Sequence, residues 1–86
     1  MIEKINEKIS VVSVYSRVKG VFIPVKLRWM GKDISIIKLG YHHKVKVGVR
    51  LLHYFSVSST DLDFKLRFDT DSLIWTLEEV CDGNAN

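Results

Sequence analysis

The stretch Val21-Phe22-Ile23-Pro24-Val25-Lys26-Leu27-Arg28-Trp29-Met30 decides the fold class. Read with a period of two, it places Val21, Ile23, Val25, Leu27 and Trp29 on one face and Phe22, Pro24, Lys26, Arg28 and Met30 on the other. That is the period of an extended strand, whose side chains point alternately to opposite faces. One dry face and one mixed face describe a half-buried strand. Pro24 has no amide hydrogen to give to a ladder, so the strand lies at an edge or carries a bulge there. Gly31-Lys32-Asp33 reads as the turn that ends it.

The same period recurs on both sides. Ile9 to Ser16 reads as a preceding strand, with Arg17 to Gly20 as its turn. Residues 2–8 leave two readings open: the near-helical spacing of Ile2, Ile5 and Ile9, or an irregular lead-in. Downstream, Ile34, Ile36, Ile37, Leu39 and Tyr41 belong to a strand broken near Gly40, and His42 to Gly48 reads as a polar loop or ragged hairpin tip. Val49, Leu51, His53, Phe55 and Val57 share one face of the next strand. Phe64, Leu66 and Phe68, then Leu73, Trp75 and Leu77, mark two more. Ser58 to Asp61 and Asp69 to Ser72 supply turns through side chains that bond nearby backbone. Residues 81–86 read as a mobile polar tail. The pattern predicts one domain, residues 1–86, of all-β class. It is a small antiparallel meander of five to six strands curled into a partly open barrel, with Trp29 and Trp75 in its core.

Composition narrows the function classes. The net charge of +3 conceals an asymmetry: residues 17–50 hold nine lysines and arginines against the single acid Asp33, whereas residues 61–82 hold seven acids against Lys65 and Arg67. Either the basic half meets an anionic partner, or the two halves pair across strands. Cys81 is the single cysteine, which excludes an internal disulfide and points to a reducing, cytoplasmic setting. No apolar run reaches the roughly 20 residues of a membrane-spanning helix, so no membrane partner is expected.

Several motifs resemble those of a family of uncharacterised bacterial β-domains of about this length. Pro24 to Lys32 matches a Pro-x-x-φ-x-Trp-x-Gly-[Arg/Lys] pattern, and Trp75-Thr76-Leu77 with Val80-Cys81-Asp82 matches a Trp-x-Leu-x-x-Val-x-Asp ending. Tyr54-Phe55-Ser56-Val57 and Phe64 to Asp69 lie between them. The chain departs from the pattern at Asp33-Ile34, where the family has an aromatic residue, and in a histidine-bearing middle segment that lacks tryptophan. The resemblance implies a β-domain and carries no activity, cofactor or site residue.

No constellation specifies catalysis, and the chain reads as a non-enzyme with no catalytic, cofactor or metal residues. His42, His43, His53 and Cys81 lack the paired spacing of a structural zinc site. Neighbours on a strand face opposite ways, so at most one of His42 and His43 can join His53. His53 lies on an apolar face and reads as a hydrogen-bonded buried histidine. Asp69-Thr70-Asp71 reads as a turn. Two binding readings remain. The first is a protein partner or homodimer contact through a sheet edge, helped by exposed Phe22 and Met30. The second is nucleic acid held by Lys26, Arg28, Arg50, Tyr54, Lys65 and Arg67, if these strands share one outer surface.

Overall fold

The computed structural model describes residues 1–82. They form seven strands: β1 (Ile2–Ser16), β2 (Val21–Trp29), β3 (Lys32–Ser35), β4 (Lys38–Val47), β5 (Arg50–Ser58), β6 (Leu62–Asp69) and β7 (Ile74–Asp82). All pairs are antiparallel, in one sheet of order β3-β2-β1-β7-β6-β5-β4. The sheet is not closed, yet its two outer strands are consecutive in sequence. Ile36 N donates to Val25 O at 3.0 Å and Ile37 N to Ser58 O at 2.8 Å, so residues 36 and 37 step from β2 to β5. β3 and β4 thus behave as one bent strand. This is why seven strands stand where the hydrophobic pattern counts five to six, and why the sheet is a partly open barrel.

Residues 2–8 are strand. The 15 residues of β1 serve two neighbours: its first half pairs with β7 and its second half with β2. A register shift between Lys4 and Glu7 marks a bend, where Asn6 takes φ 52°, a conformation Asn tolerates better than most residues. The expected loop from His42 to Gly48 is also strand, up to Val47. The turn is only Gly48-Val49 between the paired residues Val47 and Arg50, with φ 62° at Gly48. A positive φ at the first central residue alone is a type II′ hairpin turn, which glycine enters without steric cost. Met30 and Gly31, at φ 52° and 74°, make the mirror-image type I′ turn between Trp29 and Lys32.

Pro24 sits at a bulge, as its missing amide requires. Val12 pairs with Lys26 but Ser13 with Pro24, so β2 carries one extra residue at Val25. The extra residue shifts the inside–outside phase. Leu27 is buried on one side of the bulge and Pro24 on the other, while Val25 is exposed. Phe22, expected on the outer face, points inward instead, its ring 6.5 Å from Phe68.

The core follows cross-strand rows. Ile9, Trp75, Phe68 and His53 form one row, Leu77, Leu66, Phe55 and His42 the next, and Val80, Phe64, Val57 and Leu39 the third. Leu66 and Leu77 are fully buried. Each such side chain contributes on the order of 1.5–3 kcal/mol relative to exposure. Trp75 is in the core, but Trp29 is only half-buried, packed edge-on against Phe64 at 6.3 Å. Trp29 ends β2 beside the four-residue β3, too short to cover it. Cys81 and Asp82 pair with Ile2 and Leu62 and belong to β7 instead of a tail; the remainder of the expected tail, 83–86, lies outside the described residues.

Candidate functional site

The six residues expected to share a basic face divide into two groups. Tyr54, Lys65 and Arg67 meet on the outer face of β5 and β6: Tyr54 pairs with Arg67, and Lys65 Nζ lies 5.7 Å from the Tyr54 ring centre. Arg50, at the start of β5, lines a shallow outer depression with Arg67, Asp69 and Thr76. Lys26 and Arg28 are on β2, with β1 and β7 between them and β6. They are not part of the same patch.

Each arginine of the set is matched by a carboxylate. Arg28 meets Asp33 at 2.8 Å and Arg67 meets Glu78 at 2.8 Å, while Arg50 is bonded to Asp69. The Arg50–Asp69 pair joins the basic segment to the acidic one. Asp69 is the buried member of that pair, and its other oxygen accepts the Asp71 amide at 2.8 Å and the Ser72 amide at 3.4 Å. Asp69-Thr70-Asp71 is therefore a turn, as the side-chain chemistry predicts. All three of these pairs use arginine, and six of the nine cations of residues 17–50 are lysines.

The histidines divide by face, as strand alternation requires. His43 is on the outer face, 5.1 Å from both Tyr41 and Tyr54, with Nδ1 buried and unpartnered. With Lys65 this makes a short ring stack on β4 and β5. His42 is on the inner face with His53, Nε2 to Nδ1 2.8 Å, and stacks on Phe55 at 4.6 Å. No sequence motif marks the ring stack, because Tyr41 and His43 come together with Tyr54 only through the β4–β5 register. Among the described residues no group of three or more His, Cys, Asp or Glu is placed to hold a metal ion. An outer depression of about 340 Å³ beside Gly40 is lined by Lys38, Ser56, Ser58, Asp63, Lys65 and Glu79. Ser58 is committed to Asp63 at 2.7 Å.

The remaining surface feature is apolar. On the outer face of the β1–β2 hairpin, Val12 and Val14 are 55% and 54% exposed and Val25 is 38% exposed. Val14 pairs with Ile23, which adds to the patch, and Val12 pairs with Lys26 at its rim. On the opposite, inner face, Tyr15 and Phe22, both substantially exposed, pack edge to face at 5.5 Å toward the hairpin end. Beside the outer patch, the pairing of β3 begins at Lys26, so the edge of β2 away from β1 faces no strand from Val21 to Pro24.

No family model, curated protein or solved structure matches the chain. Among the described residues no helix is long and apolar enough to cross a membrane.

Proposed function

We propose that this chain is a non-catalytic binding module that associates through the β1–β2 hairpin, with a second copy as its first partner. The observation that carries this reading is the face of exposed Val12, Val14 and Val25, with half-buried Ile23, beside a stretch of β2 whose outer edge pairs with no strand. A domain of this size exposes few contiguous apolar side chains unless a partner covers them. The face suits a two-fold contact, in which the same patch serves both copies. Pro24 and the bulge shorten the edge available for pairing, so association stops at a dimer instead of propagating as added strands. The free thiol of Cys81 supports a reducing, cytoplasmic setting. The test is sedimentation velocity from micromolar to hundreds of micromolar protein. A dimer that forms with concentration, and that Val12→Glu with Val14→Lys abolishes while the far-ultraviolet spectrum is unchanged, is the expected result. A monomer throughout rules out self-association.

A second reading, single-stranded nucleic acid on the outer face of β4–β6, is favoured by one observation, the Tyr41, His43 and Tyr54 stack with Lys65 over it. The carboxylate beside each arginine weighs against it. Fluorescence anisotropy with labelled oligonucleotides across salt distinguishes the two. Phosphate binding gives a logarithmic salt slope of roughly −0.7 per phosphate neutralised on single strands.

A further inference from the structure

The inner-face histidine pair sits where β4, an outer strand of the sheet, is held by β5 alone. His42 Nε2 and His53 Nδ1 are 2.8 Å apart, and the two rings lie nearly parallel, 5.1 Å between centres. Two nitrogens at that distance share one proton: one ring donates an N–H and the other accepts with its lone pair. Among the described residues the sole buried side-chain nitrogen or oxygen without a partner is His43 Nδ1. The other nitrogens of the pair, His42 Nδ1 and His53 Nε2, are therefore open to water. A first proton added there leaves the shared N–H in place. A second puts hydrogens on both facing nitrogens and two positive charges in contact.

Among the described residues the surroundings offer no compensation for that charge. From β4 come Lys44, directly opposite His53, and His43 on the far face; from the β1–β2 turn comes Lys19. On β6 the residue opposite His53 is Phe68, and the adjacent Asp69 lies on the other face, held by Arg50 and the Asp71 amide. On β5 the neighbour is Phe55. The same lysines disfavour a divalent cation between the two nitrogens, so the proton is the ligand that the site takes.

We propose that the His42–His53 contact is a proton-operated latch, closed at neutral pH and opened by acid, that fixes the end of β4 from His42 to Val47 onto β5. Both imidazoles are held below the ordinary 6.5. The cause is first burial, then Lys44, His43 and Lys19 for His42, and His42 and Lys44 for His53. The unfolded or detached chain therefore takes up more protons as pH falls below about 6.5. The latch contributes fully above that value and is lost as pH falls through the lower folded-state values.

Amide hydrogen exchange on the intact chain, corrected for intrinsic rates, tests this. Between pH 7.5 and 5.0 the protection of β4 amides falls about tenfold or more, while that of β6 and β7 amides changes far less. His42→Phe, which keeps the stack on Phe55 and removes both nitrogens, abolishes the selective acid loss. The same loss in that variant overturns the proposal, as does uniform behaviour of β4 and β7 in the wild type. Imidazole ¹⁵N shifts of the wild type supply a readout that needs no variant. The latch requires that, at pH 7.5, one of the two facing nitrogens is protonated and the other is not, and that the two rings titrate as a coupled pair. Independent titration contradicts it.

Discussion

Strands β5 to β7 and the β1–β2 hairpin use the same apolar residue types and put them to different ends. In β5 to β7, Phe55, Val57, Phe64, Leu66, Phe68, Trp75, Leu77 and Val80 are all buried. In the hairpin only Pro24 and Leu27 reach that state, while Val12, Val14, Tyr15, Phe22 and Val25 remain exposed. The difference comes from coverage. β6 and β7 have a strand on each side along their length and a layer of side chains over their inner face. Beyond Lys26 the hairpin projects past β3, with no strand on its free edge. One region buries its apolar side chains and supplies stability, and the other leaves them exposed.

Mutations that separate the two regions sharpen this contrast. The largest effect belongs to Leu66→Ala, which empties a fully buried site; urea unfolding should show a loss of about 2–5 kcal/mol. Asp69→Ala comes next. It strands the Asp71 and Ser72 amides and the Arg50 guanidinium, at about 1–3 kcal/mol in the same assay. Gly40→Ala is smaller. A Cβ there would stand 3.2 Å from the Ser56 carbonyl oxygen, a backbone atom that moves only with its strand, so a loss of about 1 kcal/mol is expected. Arg28→Ala breaks an ion pair whose side chains are both more than half exposed, and thermal unfolding should register less than about 1 kcal/mol. Val14→Lys lies at the bottom of the scale for the monomer, within about 0.5 kcal/mol, and should nonetheless remove association. If Val14→Lys destabilised the monomer as much as Leu66→Ala, the hairpin face would be core and the contrast would fail.

The all-β fold was legible because period-two apolar residues run through β2, β5, β6 and β7, where one face is dry. It was illegible where both faces are wet or where a bulge resets the phase. The second half of β4, from His42, reads as a loop because its inner-face residues His42, Lys44 and Lys46 are polar. The first half of β1 carries Glu3, Lys4, Glu7 and Lys8, which conceal the strand phase of Ile2 and Ile5. Pro24 announces the bulge at its own position, but not that Phe22 thereby turns inward. The partition of the histidines followed from strand alternation alone, which allows one of His42 and His43 to meet His53. The dispersal of the basic residues did not, because whether Lys26 and Arg28 lie beside Lys65 and Arg67 depends on strand order, and local pattern does not encode strand order.

The most direct test of the central claim, that the β1–β2 face is the contact surface, is a dilution series of methyl and amide chemical shifts. Concentration-dependent shifts confined to Val12, Val14, Ile23 and Val25 and their neighbours, with β5 to β7 unchanged, are the predicted outcome. Shifts centred on Tyr41, Tyr54 and Lys65, or no change from micromolar to millimolar protein, would contradict it.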